Sequence, residues 1–272
     1  MERLISRDHT TIALDDEAGS AIAVVGLHGL TATRRYVLMG SRTLERAGHR
    51  VILFDARGHG GSSPAADHDY SYGALAEDLG AVLDGVDVDR AVLVGASMGA
   101  QTAVRFALSH PGRVAGLVLV TPAYDPRRFP SGLDRWDALS KGLRDGGIEG
   151  FLAVYDTSRL PAAWRDTLAT VIAQRMAGHE HPLAVADALS AVPRSRPFES
   201  FEQLGSITVP TLVVGSRDEA DPEHPLATAH AYVAAIPAAE LLVEEDGRSP
   251  LAWQGGQLSR AVAELAARVV SS

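Results

Sequence analysis

A series of short apolar runs sets the frame for this chain. Ala21 to Leu27, Val51 to Phe54, Ala91 to Val94, Leu117 to Val120, Thr211 to Val214 and Leu241 to Val243 are rich in Val, Ile and Leu, and none alternates with polar residues. A strand with one wet face would alternate, so these runs read as strands covered on both faces, as in a parallel sheet. Helical periodicity falls between them. Tyr72, Leu75, Leu79, Val82 and Leu83 share one face, as do Ala100, Ala103, Val104, Ala107 and Leu108 before the Pro111-Gly112 stop, and Leu258, Ala261, Val262, Leu265 and Val269 near the C-terminus. Parallel neighbours need crossover connections, so the repetition predicts an α/β domain with a doubly wound, mostly parallel sheet. With 46% of 272 residues hydrophobic, there is material for one large core.

One interval breaks the rhythm. From about residue 125 to 204 there is no strand-like run, but Trp136, Phe151, Tyr155, Trp164 and Met176 lie among helical segments. The expectation is one domain over 1–272, with its core at 1–124 and 205–272 and a helical cap insertion at about 125–204. Such a cap would cover the C-terminal edge of the sheet, where ligands bind in this architecture.

Composition removes several classes of function. The net charge of −9 disfavours nucleic acid or an anionic membrane as partner, leaving a small molecule. Cysteine is absent, which excludes disulfides and thiolate chemistry. The start Met1-Glu2-Arg3-Leu4-Ile5-Ser6 lacks the apolar segment of a signal peptide, and no run approaches the ~18 apolar residues of a membrane span. A cytoplasmic protein is expected. His179 and His181 lie near one another with no third metal ligand beside them, so no metal is expected.

The chemistry concentrates at Gly95-Ala96-Ser97-Met98-Gly99, directly after the Ala91 to Val94 run and directly before an amphipathic helix. A sharp strand-to-helix turn strains its central residue and requires small neighbours, which the glycines and Ala96 supply. It would lift the Ser97 hydroxyl clear of the sheet and leave a helix N-terminus facing the reaction centre. His28-Gly29-Leu30 follows the Ala21 to Leu27 run. The backbone N–H groups of Leu30 and Met98 are candidates for an oxyanion hole, and His28 reads as a residue bracing that loop.

Taken in order, His28-Gly29-Leu30, Asp55-Ala56-Arg57-Gly58-His59-Gly60-Gly61-Ser62, Gly95 to Gly99 and Val209-Pro210-Thr211-Leu212-Val213-Val214-Gly215-Ser216-Arg217-Asp218 resemble the α/β-hydrolase superfamily, in its lipase/esterase-like branch with a helical cap. The resemblance runs from residue 21 to the C-terminus. It implies the α/β-hydrolase fold and a triad in the order Ser, Asp or Glu, His, without metal or organic cofactor. Asp218 matches the acid position, with Asp125 as the other candidate.

The chain departs from the pattern at the base. The family's histidine belongs in the loop after the last strand, which here reads Glu244-Glu245-Asp246-Gly247-Arg248-Ser249-Pro250, and no histidine follows His230. Arg248 holds the expected histidine position. A guanidinium stays protonated and cannot take a proton from serine, although it can pair with Asp218 or with an anionic ligand. Substitute bases are His224 and His230, which follow Asp218, and His179 and His181 in the cap. Three functions follow: a serine hydrolase of esterase or lactonase type acting on a small, partly hydrophobic ester, a lyase or cyclase on the same fold, or a catalytically silent binding module.

Overall fold

The computed structural model describes residues 2–158 and 162–270, so residues 1, 159–161 and 271–272 of the expected core and cap lie outside the described residues. Its centre is an eight-stranded sheet in the order β1-β2-β4-β3-β5-β6-β7-β8. The strands are β1 (Glu2–Arg7), β2 (Thr10–Glu17), β3 (Ala21–Leu27), β4 (His49–Phe54), β5 (Ala91–Ala96), β6 (Val114–Val120), β7 (Thr211–Val214) and β8 (Ala239–Leu242). From β4 onward across the sheet all pairings are parallel. The doubly wound, mostly parallel α/β architecture read from the apolar runs is thus present. The last run is shifted, with Val243 just beyond its strand.

The lack of polar alternation has a simple cause. Along β5, Ala91 and Leu93 point into one buried cluster, while Val92 and Val94 point into another on the opposite face. The first cluster is completed by α2 (Tyr72–Gly85), α3 (Met98–Ser109) and α7 (Leu226–Ala235), the second by α1 (Thr43–Arg46) and α8 (Gly255–Val270). Truncating Leu93, which has no exposed surface, to Ala is expected to cost about 2–5 kcal/mol.

Two strands escaped the sequence reading. β1 and β2 form an antiparallel hairpin in which Arg7 pairs with Thr10 across Asp8 and His9. Both turn residues have positive φ, 44° and 65°, the backbone of a type I′ turn that matches strand twist.

Between β6 and β7 the described chain is helical: α4 (Leu133–Val154), α5 (Arg165–Ala177) and α6 (Pro182–Ala191), with short 3-10 turns. These helices bury their own cluster, including Leu139, Leu143, Phe151, Ile172, Met176 and Leu189. No helix among the described residues is long and apolar enough to cross a membrane.

Candidate active site

Ser97 stands between β5 and α3 with φ 48° and ψ −111°, a conformation that L-residues rarely adopt and that marks a strained elbow. The flanking glycines permit it. A Cβ on Gly99 would lie 2.2 Å from Leu27 O, and one on Gly95 would lie 2.3 Å from Gly99 O. The turn is held by the Ser97 N–H, which donates to Val120 O at 2.9 Å. Met98 opens α3, so its N–H has no acceptor within the helix.

The loop after β3 packs against this elbow. A Cβ on Gly29 would come within 3.5 Å of Ser97 Cβ, so the backbone around Leu30 lies beside the serine. His28 braces the loop: its Nδ1–H donates to Gly29 O at 2.8 Å, and its Nε2 accepts from Ala56 N–H at 2.9 Å. Asp55 extends the brace, accepting from Arg34 N–H at 2.7 Å and from Gly61 N–H at 3.0 Å while pairing with the Arg34 guanidinium. Arg57 makes a two-pronged ion pair to Asp78 of α2 at 2.6 and 2.7 Å, both side chains without exposed surface. Deleting one partner of such a pair costs about 3–5 kcal/mol. The Asp55–Ser62 motif is therefore scaffolding for the loops around the serine.

The loop between β7 and α7 supplies what the loop after β8 lacks. His224 Nε2 lies 3.1 Å from Ser97 Oγ, and its Nδ1 lies 2.8 Å from Asp221 Oδ2. Since a carboxylate only accepts, the proton sits on Nδ1, and the Nε2 lone pair faces the serine hydroxyl. Burial pulls the His224 pKa down, but the charge and hydrogen bond of Asp221 outweigh it and leave it above the ordinary 6.5. Burial pushes Asp221 up, yet His224 and the N–H groups of Glu223 and His224 hold it below the usual carboxylate value. The two shifts agree: the geometry favours an aspartate–imidazolium pair.

The other sequence candidates are placed elsewhere. Asp218 is exposed, and its Oδ1 accepts from Leu226 N–H at 2.8 Å, at the start of α7. Asp125 accepts from Arg127 N–H at 2.9 Å and pairs with the Arg127 guanidinium. The Arg248–Asp218 pair, one of the two roles open to Arg248, does not form: Arg248 Nε stands 3.8 Å from Glu245 Oε2, with 72% of the Arg248 side chain exposed. Its guanidinium stays in solvent because three-residue spacing offers it Glu245, while Asp218 is engaged at α7. His230 is exposed on α7, and His181 precedes α6. His179 is buried and committed at both nitrogens, accepting from Gly60 N–H at 2.9 Å and donating to Thr31 O at 3.0 Å. Sequence reasoning named His224 as one substitute base but passed over Asp221. The missed signal was the spacing Asp221-Pro222-Glu223-His224, an acid and base three residues apart after the β7 run.

A further cation borders the site. Arg175 of α5 donates from Nη2 to Leu30 O at 3.2 Å and to Thr31 Oγ1 at 3.1 Å, while its Nε is buried without a partner. Among the described residues no carboxylate stands within ion-pair distance of it. Its guanidinium also lies 5.8 Å from the Tyr36 ring centroid. Burial lowers its pKa, and its charge reaches both His28 and His224.

Comparison with known proteins gives the family. The family model for the alpha/beta hydrolase fold matches residues 22–255. The chain belongs to the α/β-hydrolase family. It is 32% identical to a 2-hydroxy-6-oxononadienedioate/2-hydroxy-6-oxononatrienedioate hydrolase of Cupriavidus pinatubonensis, over 85% of this chain and 81% of that one. Among solved structures it resembles Est816, an N-acyl homoserine lactone degrading enzyme, with TM-score 0.76 and 26% identity over 97% of this chain and 98% of the other. It also resembles a thermophilic esterase from Thermogutta terrifontis, with TM-score 0.79 and 25% identity over 99% of both chains. With these relatives the chain is assigned as a hydrolase.

Proposed function

We propose that this α/β hydrolase is a serine esterase or lactonase whose triad is Ser97, His224 and Asp221. The observation that carries the reading is the continuous hydrogen-bonded line from Ser97 Oγ through His224 to Asp221. Ser97 Oγ attacks the acyl carbon while its proton passes to His224 Nε2. The N–H groups of Leu30 and Met98 receive the oxyanion. His224 then protonates the departing alkoxide, and the alcohol leaves. Water attacks the acyl-enzyme with His224 again taking the proton, and Ser97 and the carboxylic acid are released.

The buried Arg175 Nε, which has no partner, supports a substrate that carries an anionic group, since a carboxylate readily satisfies a guanidinium N–H. The dienedioate hydrolase relative is named for a substrate of that kind. The substrate class is a small, partly hydrophobic ester or lactone bearing a carboxylate. The test compares hydrolysis of p-nitrophenyl hemisuccinate and p-nitrophenyl butyrate by the native enzyme, Ser97→Ala and Arg175→Gln. Ser97→Ala is expected to be inactive on both, and Arg175→Gln to raise KM on the hemisuccinate alone. No native hydrolysis above the Ser97→Ala background on either ester defeats the esterase reading.

A further inference from the structure

The proposed acid and base share one four-residue segment, so whatever holds that segment also aligns the triad. The chain leading into it is tied to the loop after β8: Ser216 Oγ and Arg217 N–H donate to Glu244 Oε1 at 2.9 and 2.7 Å. Its turn is closed locally, with Asp221 N–H donating to Arg217 O at 2.9 Å and Glu223 N–H to Asp221 Oδ1 at 3.2 Å. The remaining tie comes from the helices between β6 and β7. Glu223, between Asp221 and His224 in sequence, forms an ion pair with Arg135 of α4. The pair is sheltered, with 15% of the Glu223 side chain and 33% of the Arg135 side chain exposed. The Arg135 guanidinium is itself steadied by aromatic rings, 5.4 Å from the Trp136 centroid and 5.8 Å from that of Tyr155.

We infer that Arg135 and Glu223 are positioning residues: their ion pair fastens the segment carrying His224 and Asp221 to α4, so that the base is aligned on Ser97 when α4 is seated. The inference rests on the reading of His224 as base. A base on a separate loop after β8 would not depend on this contact. Here, loss of the pair frees the segment on its outer side, and displacement of a base by about 1 Å can cost on the order of a hundredfold in rate. The charged groups facing His224 are Asp221 and Glu223 on its own segment and Arg175 from α5, with Arg135 and Tyr155 of the α4 region behind Glu223.

The test uses Arg135→Met, Arg135→Lys, Glu223→Gln and the double variant Arg135→Met/Glu223→Gln, with His224→Gln as reference. The readouts are kcat and KM on a p-nitrophenyl ester and the low-field proton NMR resonance of an imidazole Nδ1–H bonded to a carboxylate. The native enzyme is expected to show that resonance and His224→Gln to lose it. Arg135→Met and Glu223→Gln are expected to broaden it and to lower kcat about 10- to 100-fold with KM little changed. Arg135→Lys is expected to recover most of both, and the double variant to be no worse than the single ones. Glu223→Gln is nearly isosteric, so it carries the test if Arg135→Met folds poorly. Native kcat and an unchanged resonance in Arg135→Met and Glu223→Gln, with His224→Gln inactive, overturn the inference alone. An active His224→Gln overturns the base assignment beneath it.

Discussion

Replacing Asp221 by Asn separates the proposed acid, hydrogen-bonded to His224, from the one indicated by chain order. In the native site Asp221 Oδ1 accepts from Glu223 N–H at 3.2 Å and Oδ2 from His224 Nδ1–H at 2.8 Å. An asparagine has one acceptor oxygen, and the Glu223 N–H claims it, which turns the amide NH2 toward His224. The imidazole must then accept at Nδ1 and carry its proton on Nε2, facing Ser97 with nothing to accept with. In triads generally this tautomer error costs about 10⁴-fold in kcat, or about 5.4 kcal/mol at 1.36 kcal/mol per tenfold. The partner substitution, Asp218→Asn, leaves an oxygen to accept from Leu226 N–H and lies on the surface. It is expected to change the rate by no more than about twofold. The assay is steady-state ester hydrolysis by both variants, each checked for a native melting transition. Near-native turnover by Asp221→Asn, with collapse in Asp218→Asn, refutes the reasoning.

Three further outcomes follow. Because the His224 pKa is raised above 6.5 and the base works neutral, kcat/KM is expected to rise with pH through an apparent pKa above 6.5; a pH–rate profile checks it, and a limb well below 6.5 contradicts it. Arg248→His is expected to leave ester hydrolysis within about twofold, since Arg248 is an exposed neighbour of Glu245; a large gain in hydrolysis would mean that the loop after β8 is the true base position. His28, His59 and His179 are all held neutral, with burial first among the causes and the His28 pKa lowered to about 3. Their folded pKa values lie below the unfolded 6.5, so the stability they contribute is present above 6.5 and lost as pH falls beneath it. A proton taken up on unfolding contributes about 1.4 kcal/mol per pH unit, so urea melts below pH 6 are expected to lose stability as pH falls, with about that slope from His28 and more from His59 and His179; a flat profile between pH 6 and 4 contradicts this.

Much of the fold was legible because the central parallel strands are buried on both faces and carry almost no polar residues to blur them. The Thr211–Val214 run coincides with β7 and the Ala21–Leu27 run with β3. The hairpin of β1 and β2 was hidden because its strands carry charges: Asp15, Asp16 and Glu17 end β2, and its deeply buried residues are the polar Thr10 and the short run Ile12, Ala13 and Leu14. The serine was legible since the elbow requires glycines at fixed offsets. The proposed base was less so, because chain order supplied the expectation and the proposed site is fixed by space. His224 reaches Ser97 across 127 residues of sequence, and the one local feature that sets it apart from the exposed His230 is Asp221 three residues before it. Arg248, which chain order sets at the expected histidine position, turns its side chain to solvent.

The most direct test of the central claim is the rate at which a fluorophosphonate probe labels Ser97 in the native enzyme and in His224→Gln, with Ser97→Ala as blank. The account predicts rapid native labelling confined to Ser97 and a fall of about 10³-fold or more in His224→Gln. Labelling of His224→Gln at the native rate would contradict it, because Ser97 would then be activated by a group other than His224.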